Sequence, residues 1–231
     1  MVATALQISN GFGFSLLVVP ALLTLFPKRD ALELNIVLSL VISLVMLAQT
    51  HTDVDRPLLR HLVVGSVLGL PLGILAFLSL SVRDIKIGLA VAILAATVPL
   101  LSRVRVSRTL VRDLGVGFLS GFLGTSVGVP GPPLLAYMTG TGEQKALVRS
   151  TTLAFYLVVY GVAIGLQVLT AGAAPHLVAL SALMLPGLAA GVALGQKIFG
   201  QLSPAAFRVL QLGILTATGG YLLYTVLGTR P

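Results

Sequence analysis

The 231-residue chain is 56% hydrophobic and only 10% charged, with a mean hydropathy of +1.03. A globular chain carries about 25% charged residues, so this one cannot cover a water-facing surface, and a soluble fold is excluded. Its net charge of +8 comes from short basic clusters between apolar stretches, the pattern of membrane orientation rather than of nucleic-acid binding.

A spanning helix needs roughly 20 apolar residues. In chain order, such stretches fall at 4–26, 32–49, 61–80, 86–101, 113–138, 150–171, 176–195 and 205–227. None alternates polar and apolar residues as a membrane barrel does, so the expected fold is all-α and polytopic, with the lipid bilayer as its surroundings. The opening MVATALQISNGFGF has no cationic region before its apolar run, and no cleaved signal peptide is expected. Cysteine is absent, which removes disulfides, thiol catalysis and cysteine metal sites.

The first and fifth segments differ from the rest. They contain GFGFSLLVVP and GFLSGFLGTSVGVPGPP, a glycine and proline density that breaks helices. Backbone freed at membrane depth must be buried in protein or line a polar cavity. An offset of 110 places Gly11 on Gly121, Phe12 on Phe122, Ser15 on Thr125, Pro20 on Pro130 and Glu33 on Glu143. An offset of 122 places Gly65, Gly69 and Gly73 on Gly187, Gly191 and Gly195. Two repeats are therefore expected, 1–109 and 110–231, each a broken or re-entrant segment followed by three transmembrane helices. Paired interrupted segments of this kind point to a transporter binding site.

The basic residues bear on topology. If all eight segments cross, they divide eight against seven and set no orientation. If the two broken segments are re-entrant, Arg56, Arg60, Arg103, Arg105, Arg108, Arg112, Lys145, Arg149, Lys197 and Arg208 share one side, ten against five. That division satisfies the positive-inside rule and makes the repeats inverted. The linker 103–112 is then cytoplasmic.

The stretch GFLSGFLGTSVGVPGPPLLAYM resembles the signature of the sulfite exporter TauE/SafE family of bacterial membrane transporters, and GFGFSLLVVPALL looks like its first-repeat counterpart. The resemblance implies a multi-pass protein of the bacterial cytoplasmic membrane that moves small sulfur-containing anions, such as sulfite, sulfoacetate or related organosulfonates. It implies a transporter rather than an enzyme, with no cofactor.

An oxyanion can be held by helix N-termini, runs of backbone N–H and hydroxyl groups. The candidate binding residues are Gly124, Thr125, Ser126, Gly128 and Gly131 in the second motif and Gly11, Gly13 and Ser15 in the first. The four-residue glycine spacings at 65–73 and 187–195 are expected to serve close helix packing. Glu33 and Glu143 are expected to be solvated helix starts, and Lys145 and Arg149 either draw an anion in or anchor the cytoplasmic side. His51, Asp53, Asp55 and His61 share a loop, where no metal site is expected. The rival to alternating access is a passive channel for small anions.

Overall fold

The computed structural model describes residues 3, 4, 7, 13–102, 105–172, 174–199 and 204–228. Its helices are α1 (Phe14–Leu25), α2 (Lys28–Thr50), α3 (Arg56–Ser79), α4 (Val82–Ser102), α5 (Leu110–Ser126), α6 (Gly131–Thr141), α7 (Lys145–Ala171), α8 (Pro175–Phe199) and α9 (Pro204–Gly228). No strand occurs among the described residues. Of these helices, α2, α3, α7 and α8 contain windows long and apolar enough to cross a membrane. The outward side chains fit that setting: Val64, Val67, Leu68, Leu72 and Leu75 all point away from the protein along α3. The chain is a multi-pass membrane protein.

Most helices begin a turn earlier than hydropathy alone places them, because their first turns are charged. In α2 that turn is Lys28-Arg29-Asp30, with Arg29 reaching Glu33 four residues on. The start of α3 is fixed by Asp55, whose carboxylate accepts from the Leu58 N–H, and by Pro57 in the first turn. Thr109 caps α5 in the same way through the Arg112 N–H. Such caps satisfy donors that a helix start otherwise leaves unpaired.

The fifth predicted segment is two helices. Its first part ends where the Val127 and Val129 N–H groups both return to the Leu123 carbonyl, with Gly128 left-handed at φ 72°. A few residues on, α6 starts, and it runs back. The Val106 N–H donates to the Gly140 carbonyl at 2.8 Å, and Arg108 reaches Glu143 at 3.3 Å. The α5–α6 hairpin therefore leaves and re-enters at the same end of the molecule.

That end also holds the α2–α3 loop, since Arg108 pairs with Asp55 at 2.8 Å and the Asp55 N–H donates to Thr151 Oγ at 3.0 Å. Burial alone raises the Asp55 carboxyl, but the Leu58 N–H and the Arg108 guanidinium outweigh it and hold it below the usual carboxylate range. At the opposite end, Lys28 Nζ donates to the Phe77 and Leu80 carbonyls, Arg29 donates to Gly172, and His176 approaches Asp30. Arg56, Arg60, Arg105, Arg108, Arg112, Lys145 and Arg149 thus lie at the first end, and Lys28, Arg29, Arg83 and Lys86 at the other. Cysteines placed at Ser107 and Thr141 in this cysteine-free chain are expected to react with impermeant thiol reagents from one and the same face of the membrane. Labelling from opposite faces would overturn the hairpin.

Helix pairs occur in matched sets. The helix α2 packs on α7 and α4 on α9, while α3 packs on α7 as α8 does on α2, and α4 on α6 as α9 does on α1. The most extensive pair is α3 with α5. There Gly65 and Gly69 face the Leu114 and Phe118 carbonyls, and Gly117 faces the Leu62 carbonyl, each at 2.1 Å from where a Cβ would stand. These glycines bring two backbones together, the packing role expected of the first stripe. Gly187 of the second stripe meets nothing within 4 Å among the described residues.

Candidate functional site

Two unwound points lie within the helical bundle, the first buried and the second half-buried. One is the α5–α6 break at Val127–Pro130, and the other is the entry to α1, where Gly13 is left-handed at φ 118°. On α2, residues Asn35, Ser39 and Ser43 recur every four positions and so form one polar stripe; all three are 0% exposed. Polar groups in such a place are retained only with partners or with work to do.

The stripe connects the two breaks. Asn35 Nδ2 donates to the Gly128 carbonyl at 2.7 Å, which ties α2 to the second break. Ser39 Oγ lies 3.1 Å from Ser15 Oγ, which ties α2 to the first. Ser15 Oγ also lies 2.7 Å from the Tyr160 hydroxyl on α7, whose ring meets Tyr156 edge-on. Gln7 closes the cluster at the first break, its Oε1 accepting from the Phe14 N–H at 3.1 Å. Three buried polar atoms here have no hydrogen-bond partner among the described residues: Asn35 Oδ1, Gln7 Nε2 and Ser43 Oγ. Gln167, seven residues beyond Tyr160 and so on the same face of α7, is buried with neither amide atom paired. The result is a neutral, buried, hydrogen-bonding cluster where α1, α2 and α7 meet the α5–α6 break.

The residues expected from sequence divide in two. Ser15 and Gly128 belong to the cluster directly, Gly13 opens α1 beside it, and Gly131 opens α6 just after the break. Pro132 and Pro133 lack N–H groups, so the α6 N-terminus offers fewer free donors than an ordinary helix start. Gly124, Thr125 and Ser126 are committed to packing. A Cβ on Gly124 would stand 2.5 Å from Val159. The Thr125 hydroxyl donates to the Leu70 carbonyl of α3 at 2.8 Å, and Ser126 donates to Phe122 at 2.7 Å. Gly11 lies outside the described residues.

Asn35, Ser39, Gln7 and Tyr160 were not expected from sequence. The i, i+4 spacing of Asn35, Ser39 and Ser43 inside an apolar segment was the signal available for the α2 side of the cluster. Glu33 is not the solvated helix start expected of it: it is 3% exposed and paired with Arg29 at 2.6 Å. Packing of α2 against α7 and α8 covers it. Glu143 does lie partly exposed, on Arg108. His61 Nδ1 faces Asp113 at 2.9 Å, and the Tyr137 hydroxyl donates to the same carboxylate at 2.5 Å. Asp113, at the start of its segment, is thereby buried between α3, α5 and α6.

Comparison with curated proteins and with solved structures gives no match. The family model described as sulfite exporter TauE/SafE matches residues 1–222, nearly the whole chain. The chain therefore belongs to the sulfite exporter TauE/SafE family of membrane anion transporters.

Proposed function

We propose that the protein is a secondary transporter that exports a small sulfur oxyanion or organosulfonate, such as sulfite or sulfoacetate, across the bacterial cytoplasmic membrane. The observation that carries this reading is the buried neutral cluster where α2 and α7 meet both chain breaks, with unpaired donors and an unpaired acceptor among its described residues, which we take as a closed substrate chamber. The substrate sits between Ser15 with Gly13 on one side and Gly128 with Gly131 on the other, and Gly124, Thr125 and Ser126 hold the second break in place. Gly11 belongs to the first half of the same site. Asn35, Ser39, Gln7 and Tyr160 complete its wall.

Alternating access follows from two inverted repeats, 1–109 and 110–231. The matched helix pairs support that division, as does a hairpin that starts and ends on one side. The arginine-rich end faces the cytoplasm. Arg149, whose Nε is buried without a partner, stands at that end of α7 and draws anions toward the chamber.

The test is flux in proteoliposomes with sulfite, sulfate, thiosulfate and small sulfonates side by side. Saturable uptake of a sulfur anion is expected; linear, unsaturable flux with measurable conductance would replace the transporter by a channel. The chamber contains no carboxylate among the described residues, so Glu33→Gln and Glu143→Gln are each expected to keep at least about half of parental flux, with its response to an imposed pH gradient unchanged. Glu33 is paired to Arg29 near the end opposite the arginine cluster. Specific loss of the pH-gradient response in either variant would make that glutamate the proton carrier.

A further inference from the structure

The chamber's hydrogen-bonding groups are not those of a plain anion site. Asn35 Nδ2 is spent on the Gly128 carbonyl, and turning the amide over would set its oxygen against that carbonyl, so Oδ1 is fixed as the free group. It is a buried acceptor. An anion that carries only acceptor oxygens cannot satisfy it, and leaving it unpaired is costly.

The donors are equally defined. Gln7 Oε1 is held by the Phe14 N–H, which fixes Nε2 as a free donor. Ser43 offers an unpaired hydroxyl. Ser15, Ser39 and Tyr160 bring three hydroxyl protons to two oxygen–oxygen contacts, so one proton is left over to point elsewhere.

No charged side chain faces this cluster among the described residues. The charges of α2 lie at its start, Lys28, Arg29, Asp30 and Glu33; those of α7 lie at its start, Lys145 and Arg149; α1 has none; and His176 of α8 is beside Asp30. Without a cation, charge is expensive. Born desolvation scales with the square of the charge, so a dianion costs roughly four times as much as a monoanion.

On these grounds, and resting on the anion site proposed above, we propose that the chamber takes its substrate as a protonated monoanion. The substrate's own O–H donates to Asn35 Oδ1, and its remaining oxygens accept from Gln7 and the serine–tyrosine hydroxyls, one helical turn along α2. This separates the two substrates named above. Sulfite titrates near neutrality and supplies such a species as hydrogen sulfite, whereas sulfoacetate and sulfate are dianions there. Each turnover then carries one proton on the substrate itself, and no protein carboxylate is needed.

The test is equilibrium binding to the purified full-length chain. Methanesulfonate and hydroxymethanesulfonate are both monoanions near neutrality and differ by one hydroxyl. The hydroxylated ligand is expected to bind about tenfold more tightly, the effect of one well-made buried hydrogen bond. Sulfite is expected to lose affinity by roughly tenfold per pH unit above its transition, while methanesulfonate stays flat and reports any titration of the protein. Asn35→Leu is expected to erase the hydroxyl preference, and Gln7→Met to weaken all ligands while keeping it. The ligand pair and the sulfite titration are read in the unmutated protein, so they stand whether or not the variants fold. Equal binding of the two sulfonates, or sulfite affinity that holds or rises above the transition, overturns the monoanion reading and leaves the anion site. Binding of none of these anions at any pH overturns the site itself, and this inference with it.

Discussion

Gly69→Leu is expected to leave little folded protein, and even Gly69→Ala to destabilise the chain by about 3 kcal/mol, the upper range for overpacking a tight interface. A Cβ at that position would stand 2.1 Å from the Phe118 carbonyl oxygen and 2.9 Å from the Phe122 nitrogen. Both are backbone atoms of α5, which cannot rotate aside as a side chain can. The helices must part. Parting them opens the whole α3–α5 seam, where Gly65, Gly73, Gly117 and Gly121 make similar approaches and the Thr125 hydroxyl bonds across to Leu70. In a membrane the hydrophobic effect does not drive helices together, so close van der Waals packing and interhelical hydrogen bonds carry the association. Gly165→Ala is the control, because a Cβ there meets nothing within 4 Å and alanine favours the helix by up to ~1 kcal/mol. Thermal melts by circular dichroism and the monodispersity of the detergent-solubilised protein provide the measurement. Equal melting temperatures for Gly69→Ala and Gly165→Ala would show that the seam is not under this constraint.

Much of the fold is legible in the sequence because a bilayer leaves few options. Helices must satisfy their own backbone in lipid, so apolar length and charge position locate most helix ends to within about a turn and a half. The missing turns are those of Lys28–Asp30, Arg56–Arg60 and Lys145–Arg149, where charged residues continue the helix past the hydrocarbon into the interface. The break at Gly128 is equally readable, since glycine beside proline-rich sequence marks where a helix stops. A hairpin return follows from the charge tally, and the Val106–Gly140 hydrogen bond and the Arg108–Glu143 pair agree with it.

The chamber was legible only in part. Glycine motifs draw attention to backbone, yet the polar side chains that reach the breaks come from α2 and α7, far away in sequence. Asn35 meets Gly128 across 93 residues, and Ser15 meets Tyr160 across 145. Only tertiary packing creates those neighbours. Thr125 and Ser126 show the converse. In sequence their hydroxyls sit inside the motif, but helical geometry turns Thr125 to the α3 seam and Ser126 back on its own helix. Glu33 illustrates the same gap, because nothing local says that α7 and α8 will cover that face of α2.

Gly128→Leu is expected to reduce transport by about 100-fold or more while the protein still folds. The position is left-handed at φ 72°, where a side chain costs roughly 1–2 kcal/mol. Displacing Asn35 from the Gly128 carbonyl costs about another 1 kcal/mol. That sum weakens the fold without abolishing it, against typical total stabilities of roughly 5–15 kcal/mol. The damage to transport has a different source. A Cβ at Gly128 would lie 3.0 Å from Asn35 Nδ2, 3.5 Å from Leu32 and 3.9 Å from Val19, which belong to α2 and α1. Anything larger presses Asn35, Leu32 and Val19 out of place between the two breaks, where the substrate is proposed to sit. Gly142→Leu separates occupancy from strain. Gly142 has the same φ of 72°, but a Cβ there meets nothing within 4 Å, so the variant bears the left-handed cost and leaves the Asn35–Gly128 contact intact. Sulfite flux, normalised to folded protein by size exclusion, should therefore collapse for Gly128→Leu and persist for Gly142→Leu. A Gly128→Leu protein that folds and transports normally would remove the second break from the substrate path. Equal loss in both variants would assign the defect to backbone strain, and the anion would then have to be sought elsewhere in the bundle.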